Sequence, residues 1–253
     1  MDVRKSVLLF WVVISGSVAF SQSLKDSSIA FSNVAISFAY QIPKGDMAVR
    51  FGNNMNASGE YFFKTKQNFL FGANLNYLFG RNIKEVGMLD SITTVDGNHI
   101  NLNGSFAVVA LFQRGWNGFV YVGKQFSWKK IAPNPNSGIM IKLGVGFLQH
   151  RIRIDDIGNA TPSLTKEYRN GYDRSTGGLA LNQSIGYNYF SANRIANFFF
   201  SVDFTEGFTK SLRSYDYDLR RPDTAKRFDV LIGFRFGWIV PLYKNVASEF
   251  YYY

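Results

Sequence analysis

Between Ile29 and Pro241 the chain repeats one pattern about eight times: a run of alternating apolar and polar residues, ended by a turn-forming stretch. Phe69–Phe79 shows it most plainly. Phe69, Phe71, Ala73, Leu75, Tyr77 and Phe79 recur at every second position, while Gly72, Asn74 and Asn76 fall between them. Side chains of a strand alternate between its two faces, so this segment predicts a strand with one apolar and one polar face. In a soluble sandwich the large apolar residues would face a covered core. Here no covering helix is predicted, and aromatics make up 17% of the chain. The reading that satisfies both faces is a membrane-spanning barrel with lipid outside and a polar lumen.

Eight strands are predicted, over residues 30–42, 53–63, 68–79, 105–124, 138–152, 178–190, 196–209 and 227–240. Pro43–Asp46 breaks the first, and Lys64–Gln67 is a tight turn after the second. Ile131–Ser137, with two prolines, cannot continue a ladder. Long polar stretches at 81–103, 153–177 and 210–226 alternate with these shorter connections. With the N-terminus in the periplasm, every long connection falls outside and every tight turn inside, and an even count returns the chain to the periplasm. The expected fold is therefore an all-β, eight-stranded antiparallel transmembrane β-barrel. Eight strands leave room only for side chains, so the lumen is expected to be filled. Its inward charges are Glu60, Lys142, His150, Asp203, Asp229 and Arg235. In a low-dielectric interior these must pair or stay hydrated, which predicts carboxylate–cation pairs rather than a diffusion pore.

The remaining features refine this picture. Residues 1–21 have the basic start, short apolar run and Ala19-Phe20-Ser21 ending of an export signal. The barrel is placed at 22–240 and an aromatic periplasmic tail at 241–253. There is no cysteine, which excludes disulfides and thiolate metal sites. Losing Arg4, Lys5 and Asp2 with the signal takes the net charge from +10 to +9. In an exported barrel that excess points to anionic lipid head groups, and no nucleic-acid partner is expected.

The chain resembles the small eight-stranded outer-membrane barrels of the OmpA/OmpX/OmpW type. The likeness is carried by the export signal, by Tyr40–Asp46 and Gly59–Phe63, and by an aromatic-rich last strand over Leu231–Trp238. It covers the mature chain and implies a bacterial outer-membrane location and this architecture more than an activity. One departure is that the chain continues past Pro241 to Glu249-Phe250-Tyr251-Tyr252-Tyr253. Phe250, Tyr251, Tyr252 and Tyr253 suit either an interfacial aromatic belt or anchors for a protein partner.

Arg169, Arg213, Arg220 and Arg221 lie in the long loops, where guanidinium groups could contact lipopolysaccharide phosphates or pair with the nearby Asp residues. His99 and His150 are the only histidines. No Ser–His–acid spacing can be assigned to either, so no enzyme, cofactor or metal is expected. The leading functional expectation is an accessory or scaffold subunit of an envelope complex, as in type IX secretion or outer-membrane assembly machinery. The alternative is a free-standing surface barrel acting through its loops in adhesion, lipopolysaccharide contact or small-solute passage.

Overall fold

The computed structural model describes residues 27–85, 87–128, 131–156, 161–191 and 196–242. The predicted export signal and the tail aromatics Phe250–Tyr253 lie outside them. Eight long strands form the wall: β1 (Phe31–Gly45), β2 (Asn54–Lys64), β3 (Phe69–Gly80), β6 (Val109–Phe126), β7 (Gly138–Asp156), β8 (Thr176–Tyr189), β9 (Phe198–Ser211) and β10 (Lys226–Leu242). The remaining two, β4 (His99–Ile100) and β5 (Phe106–Ala107), make a small hairpin within the β3–β6 connection. The predicted fourth strand therefore starts later than residue 105.

Neighbouring wall strands pair antiparallel, and β1 closes the ring by pairing with both β2 and β10. Connections alternate between a rim of short turns and a rim of long loops. The long-loop rim carries two helices, α1 (Met47–Arg50) and α2 (Lys166–Tyr172).

Two prolines expected to end strands do not. Pro43 lies within β1 opposite Leu231, and Pro241 within β10 opposite Asn33. At each, the strand has a neighbour on one side only: β2 stops opposite Gln41, and β9 stops opposite Trp238. The missing N–H can therefore fall where no ladder bond is required. The barrel accordingly runs to Leu242 rather than ending at residue 240.

Outward positions are apolar almost throughout. Ile36, Val120 and Leu179 are 62%, 62% and 69% exposed, and aromatic side chains crowd toward both rims. So large an apolar surface is not stable in water, and a closed ladder leaves no unpaired edge. The wall is built to stand in a bilayer. Single-chain barrels with an even strand count, short turns on one rim and long loops on the other are those of bacterial outer membranes.

The interior is filled in layers. Near the long-loop rim, Met47 and Phe51 from the first loop pack on Leu78, Phe119, Leu148 and Leu231 from the wall. Near the short-turn rim, Phe31, Phe62, Leu70, Met140, Phe190 and Phe199 form a second apolar plug. Gly72 is required in this packing: a Cβ there would lie 2.6 Å from the Tyr121 hydroxyl. Polar residues occupy the layer between the plugs, where the remaining cavity is about 10 Å³, roughly room for one water.

Candidate functional site

The polar layer contains the predicted inward charges, and the structure arranges all six as three pairs. Lys142 Nζ donates to Glu60 Oε1 at 2.7 Å, and the Tyr121 hydroxyl donates to the same oxygen. Arg235 Nε donates to Asp203 Oδ2 at 2.5 Å, while Ser184 and Ser201 donate to the other oxygen. His150 Nε2 lies 2.9 Å from Asp229 Oδ2, which also accepts from Thr209. Each pair spans separate strands, so together they brace the wall from within. His150 is fully buried facing the lumen, and no group of His, Asp and Glu able to hold a metal exists among the described residues.

A further buried charge on an inward strand position was not anticipated. Lys64, expected in a turn, is fully buried and faces the lumen at the end of β2. Its ammonium donates to Ser28 Oγ, the Ile29 carbonyl and Asn136 Oδ1 at 3.0–3.1 Å, with Phe31 beside it. It ties the entering chain and the β6–β7 connection across the short-turn mouth. The parity of Glu60, Phe62 and Lys64 along β2 was the available signal.

At the other rim the long loops are cross-braced. Arg174, in the left-handed region at φ 49°, is 92% buried and reaches Glu85 at 3.2 Å, Asp216 at 2.9 Å and Asp218 at 2.6 Å, joining three loops. Arg213 binds Asp173 through two nitrogens at 3.0 and 2.5 Å, and these hydrogen bonds raise its pKa above the ordinary guanidinium value. Arg169 donates to the Leu164 carbonyl and lies 3.9 Å from Asp156. Of the four loop arginines for which lipid phosphates and internal pairs were both open, two are thus engaged within the loops, while Arg220 and Arg221 are exposed. Tyr168, Tyr172, Tyr215 and Tyr217 pack together over this cap.

The outward-facing cations form a separate feature that the sequence reading missed. Lys44, Arg81, Arg114, Arg151, Lys210 and Lys226 form a collar around the outer wall below the long loops. Arg114 and Arg151 lie directly opposite one another on β6 and β7, each twelve residues above the paired feet Phe126 and Ile139. Lys210 and Lys226 are opposed in the same way on β9 and β10, twelve above Phe198 and Trp238. Arg81 and Arg114 flank the Phe112 ring at 6.0 and 5.1 Å. Of the six, Arg151 has a carboxylate nearby, Asp173 at 3.9 Å; the other five have no ion pair among the described residues.

Lys226 also lines an open cleft of about 480 Å³ at the mouth with Asp46, Arg50, Lys84, Glu85 and Arg227. Arg50 is 92% buried there, and its pKa is lowered by burial and by Arg227, partly opposed by Glu85. Like charges set directly opposite across a ladder repel, so this rim carries excess positive potential that an anion would relieve.

No family model matches the chain, and no curated protein matches its sequence. Among solved structures it is similar to Ail, the attachment invasion locus protein of Yersinia pestis, in complex with the heparin analogue sucrose octasulfate. The identity is 12%, with 83% of this chain and 99% of that chain covered and a TM-score of 0.40. It is also similar to Neisserial surface protein A, at 9% identity over 82% of this chain and 97% of that one, with a TM-score of 0.38. A third likeness is to the N-terminal β-barrel domain of Pseudomonas aeruginosa OprF, at 10% identity over 83% and 99%, with a TM-score of 0.34. The assignment of this chain as an eight-stranded transmembrane barrel rests on its own closed ladder and apolar wall.

Proposed function

We propose that this barrel is a non-enzymatic outer-membrane protein that works by contact at its outer surface, with its interior serving as a brace. The observation that carries the reading is the pair of directly opposed cation couples, Arg114/Arg151 and Lys210/Lys226, at one height on the lipid-facing wall. Phosphates of lipopolysaccharide lie at that height in an outer leaflet, and bridging by phosphate converts repulsion into charge-assisted hydrogen bonds. The braced loop cap would then be held at a fixed attitude above the lipid for display to a partner. Solute passage is not favoured, because both ends of the lumen are plugged.

The test uses the purified full chain. In planar bilayers it is expected to show no stepwise conductance. It should bind lipopolysaccharide better than the same lipid stripped of phosphate, and Arg114→Ala with Lys210→Ala should weaken binding about 30-fold, at roughly 1 kcal/mol per cation. Conductance steps, or binding indifferent to phosphate, would overturn the reading. A second reading is an accessory subunit of an envelope complex such as a secretion or assembly machine; the tail aromatics that suggest it lie outside the described residues. It gains support from a different observation on the wall, the outward carboxylate of Glu206.

A further inference from the structure

Between the two aromatic girdles, the outward positions of the described strands carry one ionisable side chain, Glu206 on β9. Phe204 lies below it and Phe208 above it on the same strand. Leu181 of β8 and Val230 of β10 flank it in the ladder. Gln183 of β8, exposed and paired with Phe204, is its diagonal neighbour and the one other polar side chain on this part of the wall. Glu206 makes no hydrogen bond or ion pair among the described residues. It stands eight residues above Phe198 and four below Lys210, about 10 Å beneath that lysine for a strand tilted near 40°; Lys44 shares its ladder row, one strand beyond Val230, and makes no ion pair with it. A carboxylate facing hydrocarbon is costly, and no lumen geometry or packing within the barrel requires one here.

We propose that the β8–β9 face, centred on Glu206 and Gln183, docks a second, different membrane protein that brings a Lys or Arg side chain to this depth. The acid supplies the charge, the Gln183 amide supplies hydrogen bonds, and Leu179, Leu181, Phe204 and Phe208 supply apolar area around them. Such a patch has the make-up of an interface centre, a desolvated polar pair ringed by large apolar residues. Charge complementarity fixes the partner's chemistry. Membrane geometry argues against a second copy: copies in one bilayer stand at the same height, and apart from Lys44 this chain's own outward cations sit elsewhere in the collar or, like Lys124, at the short-turn rim. The inference deepens the complex-subunit reading and rests on it, whereas its failure would leave the lipid-contact reading untouched.

The experiment places the photocrosslinker p-benzoylphenylalanine at Ile185, exposed on β8 beside the patch, in the full chain in its native membrane, with Leu75 on the far wall as the control site. The expected result is one heterotypic adduct with an integral membrane protein from position 185 and none from position 75, lost when Glu206→Gln is added. In parallel, the isolated barrel in vesicles should unfold at higher urea as Glu206→Leu, because without its partner the wild-type carboxylate is left facing lipid. Adducts with a second copy, equal labelling from both faces, or an adduct indifferent to Glu206→Gln would overturn the proposal. So would a fall in urea midpoint for Glu206→Leu, since that would mean the barrel's own Lys44 or Lys210 already satisfies the acid.

Discussion

Inside the barrel, Lys142 and Arg235 sit 2.7 and 2.5 Å from a carboxylate, and His150 sits 2.9 Å from another. On the outer rim, Lys44, Lys210 and Lys226 make no ion pair among the described residues, and two couples of like charge face each other across the ladder. The difference follows from the medium each set meets. A lumen charge has no bulk water, so the chain must supply its partners: a carboxylate on another strand for Lys142, Arg235 and His150, and hydroxyl, carbonyl and amide oxygens for Lys64. A rim charge meets water and lipid head groups, so the counterion can come from outside. Lumen charges held by the chain's own groups therefore mark structure in this molecule, and rim cations without an ion pair mark surfaces left open to a partner. The largest test of that contrast is to unpair the lumen.

Asp203→Ala would leave Arg235 buried beside Ser37, Ser184 and Ser201 without a carboxylate, at an expected cost of about 3–5 kcal/mol. Replacing both partners, as Asp203→Leu with Arg235→Met, should restore most of that stability, because two apolar groups need no partner. Urea unfolding in vesicles reads both. If the single and double variants lose the same amount, the pair does not act as a unit and the contrast between lumen and rim fails at its strongest point.

How much of this could be read from the chain alone depends on which periodicity carries the information. The alternation over Phe69–Phe79 is local and has period two, so strand number, facing and lumen charges follow from it. Glu60, Asp203 and Asp229 could be assigned to the interior by parity without knowing which cation each would meet. The collar could not be found that way. It emerges from register, because Lys210 and Lys226 are opposed only once β9 and β10 are aligned, and alignment depends on loop geometry that no local pattern specifies. The prolines mislead for a related reason. Pro43 and Pro241 look like terminators in isolation, yet each stands where a neighbouring strand has already stopped. The apolar plug at the long-loop mouth escapes the pattern because Met47 and Phe51 lie in a loop and fold back into the mouth, a tertiary choice invisible to alternation.

The loop cap lies between the two extremes, and Arg174 tests to which it belongs. Its guanidinium is buried and holds three carboxylates, like a lumen cation, but it stands in a loop and in the left-handed region. Arg174→Ala should raise proteolytic cutting in the loops around Asp216 and Glu85 by roughly 30-fold, the ratio expected for about 2 kcal/mol of lost charge-assisted bonding. The urea midpoint of the barrel should scarcely move. A large fall in that midpoint would show that the cap and wall unfold together, making the cap part of the brace instead of a separately held display.

The smallest expected effect concerns Asp223, which joins the mouth to the rim by holding both Arg227 and Arg50. Burial alone would raise its pKa. The hydrogen bond and charge of Arg227, the Ala225 N–H and the charge of Arg50 outweigh burial and hold the carboxyl below its ordinary value of 3.8. A carboxyl with a depressed folded-state pKa binds its proton more readily when the loop is open. Its contribution is thus complete above pH 3.8 and is lost as pH falls through the lower folded-state value. The Ala225 amide, which donates to Asp223 Oδ1 at 3.2 Å, provides a local reporter. Its hydrogen-exchange protection, corrected for intrinsic rate, should fall in that acid window in the wild-type protein. Asp223→Asn should have weaker protection at neutral pH and no further acid-dependent loss at this amide. If the asparagine variant kept the wild-type acid profile, the pH response would have to originate elsewhere in the cap, and Asp223 would join the passive rim instead of the braced interior.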